Sequence, residues 1–309
     1  MARRKKQSRL SSYIFMAINT VVWGAALILV KPAFEVTTPF RFLLYRYILA
    51  SILSLPILIY YFPRIKNLKR TLTKITLIEI LGGTLALSLL YSGLSMTSAI
   101  EASLITTTVP IFVSVLAVMM LKEKEEHHEI VGLTIAFIGT LLLTIFPIFN
   151  GHSQLNNISL TGNLLVISQN IATAFYFVLA KKHYQKMPKI FVAAISFYVC
   201  LITFAPLSIF EAGGITQLLT TISQDLQHLS VWVASGYMAI FGSIIGFTAY
   251  LKGQEKIEAS EATLFTYLQP LIYIPLGIWL LNENILPSQI ISLIIILLGV
   301  IIAEKRSKK

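Results

Sequence analysis

The sequence predicts an all-α integral membrane fold of ten transmembrane helices, arranged as two inverted five-helix repeats. Three observations predict it. Of 309 residues, 56% are hydrophobic and 13% are charged, about half the charged share of a soluble domain. Apolar runs long enough to cross ~30 Å of hydrocarbon recur along the chain. The second half of the sequence repeats the first at an offset of 160 residues. A soluble fold of this length has no interior for so much apolar surface, so the natural solvent is lipid.

The basic N-terminal segment precedes an apolar stretch at 13–30. That stretch is long for the core of a signal peptide. Lys31-Pro32-Ala33-Phe34-Glu35 follows it instead of a small-x-small cleavage site, so it reads as a retained first helix. The further spans are 40–62, 75–96, 99–121, 129–149, 160–180, 190–210, 231–251, 259–281 and 286–303. The connections are short, and only 211–230 approaches twenty residues. Residues 1–150 form the first repeat and 151–309 the second.

The net charge of +11 does not point to nucleic acid, because the basic residues sit in short clusters between apolar runs. That is the pattern of cytoplasmic loops. With the N-terminus in the cytoplasm, 22 of the 25 Lys and Arg residues fall on the cytoplasmic side. Only Lys31 and Arg41 lie outside, and Arg46 falls within the second helix. The expectation is a multi-pass protein of the cell membrane with both termini cytoplasmic. The single cysteine, Cys200, sits in an apolar run and reads as a small packing residue.

At the 160-residue offset, Gly93 falls on Gly253, Ala99 on Ala259 and Glu101-Ala102 on Glu261-Ala262. Leu104, Thr106 and Pro110 fall on Leu264, Thr266 and Pro270, Glu123 on Glu283, and Gly139 on Gly299. Apolar matches arise by chance between membrane helices, but Glu, Thr, Pro and Gly in one ungapped register do not. Five is odd, so the second repeat starts on the opposite side of the membrane. The halves are then related by a pseudo-two-fold axis in the membrane plane, an architecture typical of secondary transporters.

These residues carry a family resemblance. Trp23-Gly24, Thr38-Pro39 with Tyr45-Arg46-Tyr47, and the run from Tyr91 through Ala99, Ala102-Ser103-Leu104 and Val109-Pro110 to Glu123, Gly132 and Gly139 resemble the drug/metabolite transporter superfamily. The match is to its EamA-type members with two tandem five-helix units, and Ala259 to Glu283 repeats the pattern. The chain departs from the family where Lys122-Glu123 and Asn282-Glu283 replace Gly-Glu, and where Ala174-Phe175-Tyr176 stands in place of a tryptophan. The resemblance implies a carrier of small organic metabolites, with export as the direction.

Candidate site residues follow from polarity at membrane depth. Pro110 and Pro270 are expected to kink the fourth and ninth helices; the symmetric pair favours carbonyls of Thr106 and Thr266 freed toward a central cavity over a mere packing kink with the threonines satisfying the local backbone. Asn19, Trp23, Tyr91, Gln169, Asn170, Tyr176, Tyr237, Tyr250, Tyr267 and Gln269 are the polar and aromatic residues on helices expected to face the axis. At an offset of 151, Asn19 falls on Asn170 and Lys31 on Lys182. Arg46 leaves two readings open: a buried partner or snorkelling to the interface. Glu101 and Glu261 read as helix caps in preference to a coupling-ion role, and Glu123 and Glu283 as solvated loop acids in need of a cationic or N–H partner, with a gate contact as the alternative. Glu79 is placed one turn from the cytoplasmic end of the third helix, so no deep acid stands out as a proton relay.

No P-loop is present, so the chain has no ATP-driven chemistry of its own. His127-His128-Glu129 reads as a solvated loop, since adjacent residues point to different sides of a helix, and Gly242-Ser243-Ile244-Ile245-Gly246 as a packing face. No cofactor or metal is expected. The expected partners are a small-molecule substrate and the lipid bilayer, with the chain a monomer or homodimer. The leading function is a secondary transporter of small organic metabolites such as amino acids, working by alternating access around a midplane cavity. The alternatives are a membrane-embedded enzyme acting on lipid or isoprenoid substrates, which needs clustered His, Asp or Glu at one membrane face, and a receptor or scaffold, which has no need of an inverted repeat.

Overall fold

The computed structural model describes residues 2–123, 127–149, 157–283 and 285–303. Lys124, Lys305, Arg306, Lys308 and Lys309, the side chains of Arg3, Arg4, Lys5, Lys6 and Glu129, and the junction between the two halves lie outside the described residues. In lipid a backbone must satisfy its hydrogen bonds within itself, so long apolar runs become helices. Ten helical units result among the described residues: α1 (Ala2–Val30), α2 (Pro39–Tyr61), α3 (Leu68–Met96), α4 (Ala99–Leu121), α5 (His127–Phe149), α6 (Asn157–Tyr184), α7 (Lys189–Ala212), α8 (Leu229–Gly253), α9 (Ala259–Leu281) and α10 (Pro287–Ala303). Eight of them are long and apolar enough to cross a membrane, and α5 and α10 contribute the shorter apolar segments Ile130–Gly139 and Pro287–Gly299.

Helix packing obeys the inverted repeat. α1 packs on α8 and α9, and α6 packs on α3 and α4. α2 pairs with α7, and α5 with α10. Exchanging α1–α5 with α6–α10 maps this set of contacts onto itself. The α5–α10 contact uses a repeat-related glycine pair. A Cβ on Gly299 would lie 2.5 Å from the Gly132 carbonyl oxygen, and one on Gly139 would lie 2.9 Å from Ile296 Cγ1. Only glycine permits this approach.

α3 and α8 share a second symmetric feature. Each contains a π-helical segment, Ile80–Leu85 in α3 and Met238–Phe247 in α8, and the 160-residue offset carries the first into the second. Such π segments mark functional sites in helices. α3 also begins at Leu68 rather than at residue 75. The added turns carry Lys69, Arg70 and Lys74, which hide them from a hydropathy reading. The connection 211–230 contains an amphipathic helix, Ile215–Asp225. Its last residue, Asp225, is buried and accepts hydrogen bonds from Thr37, Arg41 Nε (2.8 Å) and Tyr45 OH (2.8 Å).

α4 and α9 are broken rather than kinked. α4 stops at Thr106, passes through Thr107-Thr108 and restarts as Val109–Leu121. α9 runs Ala259–Leu264, tightens to a 3-10 turn at Phe265–Leu268 and restarts as Pro270–Leu281. Pro110 and Pro270 therefore open the second half-helix of each pair, where the missing N–H is no loss and the fixed φ is favourable. This replaces the expectation of a proline inside a continuous helix. Pro110→Ala and Pro270→Ala should each shift stability by less than ~1 kcal/mol, with the break retained. Thermal unfolding of the purified variants checks this, and a large loss in either would show that proline itself holds the break.

Candidate functional site

A cavity of about 170 Å³ lies between the two repeats, lined by α1, α2, α3, α4, α6, α7, α8 and α9. Among the described residues, none of α5 or α10 lines it, and both broken helices and both π segments do. The repeat thus brings its four irregular segments to one place, where irregular backbone at membrane depth is tolerated.

The α8 π segment builds one wall. Trp23 Nε1 donates to the Gly242 carbonyl (3.1 Å), and Asn19 Nδ2 donates to the Gly246 carbonyl (3.1 Å). A Cβ on Gly246 would fall 2.8 Å from Trp23 Nε1, so the glycines expose these carbonyls as well as allowing close packing. Between them, Ser243 Oγ accepts from Arg46 Nε at 2.9 Å. Arg46 also donates from Nη1 to Tyr91 OH at 3.1 Å, and its guanidinium lies 4.9 Å from the Tyr47 ring centroid. Arg46 is 6% exposed. It points into the cavity with neutral partners and does not snorkel.

Facing parts of the cavity are amide, hydroxyl and aromatic. Gln169 donates to Thr173 Oγ1, and its Oε1 is buried with no partner among the described residues. Thr106, Thr266, Gln269 and Ser103 line the gap at the two helix breaks. Trp23 stacks on Tyr250 at 5.6 Å, Tyr250 on Phe177 at 4.2 Å, and Tyr176 on Phe247 at 6.3 Å, as an aromatic shelf.

Of the residues singled out from sequence, Trp23, Arg46, Tyr91, Thr106, Gln169, Tyr176, Thr266 and Gln269 line the cavity. The others do not. Asn19 and Tyr250 sit one layer behind it, and Tyr237 donates to the Val22 carbonyl at 2.7 Å. Tyr267 packs with Ile296 of α10. Asn170 donates to the Ile105 carbonyl (2.7 Å) and Thr108 Oγ1 (2.9 Å), so it satisfies the α4 break. The equivalent contact in the other half comes from Thr20, whose Oγ1 donates to the Phe265 carbonyl at 3.1 Å. Phe265 is 160 residues beyond Ile105, whereas Asn170 is 150 beyond Thr20. The first helices therefore superpose at 150 rather than 151, pairing Lys31 with Lys181. Both lysines behave alike: Lys31 Nζ donates to the Leu94 and Thr97 carbonyls (2.7 and 2.6 Å), and Lys181 Nζ donates to the Ile257 carbonyl.

Sequence reasoning missed Glu79, Tyr47, Ser196 and Cys200, all on the cavity wall. Glu79 is 2% exposed and stands well inside α3, because that helix starts two turns earlier than expected. The Gly82-Gly83 pair beside it was the available signal. Cys200 is a lining residue as well as a packing one.

The opposite ends of α4 and α9 are joined across the repeats by a reciprocal pair of caps. Glu283, at the end of α9, accepts from the backbone N–H groups of Ala99 and Ile100 at the start of α4, both at 2.8 Å. Glu123, at the end of α4, accepts from Ala259 N–H at 3.1 Å and Ser260 Oγ at 3.0 Å at the start of α9, with Lys181 Nζ 3.5 Å away. Each acid satisfies orphan N–H groups and meets the positive end of a helix dipole. The N–H and cationic partners expected for these acids are thus present, and they lie across the repeats rather than in a solvated loop. Glu101 N–H donates to Ser98 Oγ at 3.1 Å, as the capping spacing predicts.

The family described as "EamA-like transporter family" matches this chain twice, at residues 10–145 and 160–304. "Uncharacterized transporter YetK" of Bacillus subtilis is 24% identical over 99% of this chain and 89% of its own length. "Uncharacterized inner membrane transporter YedA" of Escherichia coli is 24% identical over 91% of this chain and 87% of its own. A solved crystal structure covering 96% of this chain and 98% of its own superposes with a TM-score of 0.65 at 16% identity, a likeness of fold alone.

Proposed function

This chain belongs to the EamA-like transporter family, and from that premise we propose that it is a secondary transporter that exports small zwitterionic metabolites such as amino acids by alternating access. The observation that carries the substrate class is the cavity wall. Arg46 and Glu79 are its one basic and one acidic lining residue among the described residues, and they are not paired with each other. A solute with both a carboxylate and an ammonium group complements both, while the amides of Gln169 and Gln269 and the aromatic shelf accept its remainder. A sugar phosphate needs paired cations, and among the described lining residues Arg46 is the single one.

Alternating access is supported by the reciprocal caps. Glu283 and Glu123 tie α4 and α9 together at opposite ends with equivalent contacts, so releasing one at a time would part the repeats on one side at a time. The division of the chain into repeats at 150 and 151 belongs to the same reading. Saturable uptake of radiolabelled L-amino acids by liposomes containing only this protein tests the function; absence of flux across the whole panel would refute the substrate class.

The proposed orientation puts the Glu123 end in the cytoplasm and the Glu283 end outside. Lys256 and Ser223 are exposed at opposite ends. In intact cells, Ser223→Cys should react with an impermeant maleimide and Lys256→Cys should not. The reverse pattern would invert the topology.

A further inference from the structure

Glu79 is a buried acid hydrogen-bonded to neutral groups. Its Oε1 accepts from Tyr176 OH at 3.0 Å and Tyr184 OH at 2.9 Å, both on α6. Cys200 and Ser196 of α7 complete its surroundings on the cavity wall, and the π segment that follows it carries no titratable side chain. Arg46 and Tyr47 of α2 line the same cavity, but Arg46 is bonded to Ser243 and Tyr91. Lys189 of α7 donates to the Tyr184, Gln185 and Met187 carbonyls. Among the described residues, no Lys, Arg or His forms an ion pair with Glu79.

The site is shaped around this carboxyl. A Cβ on Gly82 would fall 2.0 Å from Tyr176 Cδ2, and one on Gly83 would fall 2.5 Å from Cys200 Sγ and 3.5 Å from Glu79 Oε2. Gly82 makes room for the Tyr176 ring and Gly83 for the Cys200 thiol, and both phenols bond Oε1 rather than Oε2. Tyr176 lines the cavity, while Tyr184 is the last residue of α6 and is itself buried. Glu79 thus joins the cavity wall to the last turns of α6. A carboxylate in a low-dielectric site needs either a proton or a cationic partner to cross the membrane.

We propose that Glu79 is the coupling site of this carrier, holding a proton when the cavity is empty and the ammonium group of the substrate when it is loaded. The inference rests on the transporter reading above. On the return step, Glu79 takes one proton from water at Oε2. On loading, that O–H bond breaks, the proton passes to water, and the substrate's N–H groups take its place. The tyrosine O–H bonds stay intact throughout. One proton moves opposite to each substrate, so an inward proton gradient drives export.

Two measurements on the full chain test this. In proteoliposomes, the radiolabelled L-amino acid with the largest wild-type exchange should accumulate under an imposed pH gradient. Glu79→Gln keeps an oxygen for both phenols, so it should fold; it should lose gradient-driven accumulation at least tenfold yet retain substrate-for-substrate exchange at raised KM. Infrared titration of the substrate-free protein should show a protonated carboxyl band that vanishes with rising pH and is missing in Glu79→Gln. Undiminished gradient drive in Glu79→Gln would overturn the proposal, as would a titrating band unaffected by the substitution. If no amino acid moves in the wild type, the substrate class fails and the infrared titration alone decides Glu79. It decides likewise if the variant loses exchange as well as drive.

Discussion

On the proposed function, Arg46→Ala should lower amino-acid flux by at least about thirtyfold, the largest single-residue effect expected on substrate binding. Removing a buried charge that pairs with a substrate carboxylate costs about 2–5 kcal/mol, and each 1.4 kcal/mol is tenfold. The substitution also strands Ser243 Oγ and Tyr91 OH, at about 1–3 kcal/mol for each buried hydroxyl left unpaired. Stability therefore falls too, and the two effects need separating. Tyr91→Phe removes one neutral partner and keeps the charge, so it should lower stability comparably but substrate affinity far less than Arg46→Ala does. Arg46→Lys keeps the charge but cannot serve Ser243 and Tyr91 from one planar fork, so it should retain a minor part of the flux. Flux and thermal unfolding measured on all three decide the matter. An Arg46→Ala protein with wild-type KM would remove Arg46 from the binding site.

Glu123→Ala and Glu283→Ala should trap the carrier in opposite-facing states. Each loses a carboxylate cap on the first half-helix of the other repeat, at a cost of about 0.5–2 kcal/mol. A shift of that size moves a two-state equilibrium by roughly two- to thirtyfold. Loss of the Glu283 cap frees the α4 start, and loss of the Glu123 cap frees the α9 start and leaves Lys181 without its acid. The protein carries its own reporter. Cys200 is the sole cysteine, is 1% exposed and lines the cavity. An impermeant methanethiosulfonate reagent should label it faster from the Glu283 end in Glu283→Ala and from the Glu123 end in Glu123→Ala. Faster labelling from the same end in both variants would contradict the exchange of roles between the repeats.

Much of this architecture is legible in the amino-acid sequence. The repeat register from Gly93 to Gly139 locates both helix breaks, both glycine contacts of α5 and α10, and the cap-forming pair Glu123 and Glu283. What the register does not contain is that these acids reach the opposite repeat. Glu123 lies 136 residues from Ala259, and Glu283 lies 184 from Ala99. Hydropathy misplaces Glu79 because Lys69, Arg70 and Lys74 mask the start of α3. It reports where lipid begins, and a helix can begin earlier.

The sequence by itself determined the ten helices, their inverted repetition and the family, since these depend on composition along the chain and on matched residues at a constant offset. Only the tertiary structure decided which polar side chains meet. Membrane helices that are apolar around most of their surface carry little rotational signal. Packing sets which face turns inward, as it does where Asn19 and Tyr267 turn from the cavity and Glu79 and Cys200 turn into it. The same packing turned the prolines from kinks into half-helix starts, because a break whose carbonyls at Ile105 and Phe265 are bonded by Asn170 and Thr20 no longer needs a continuous helix.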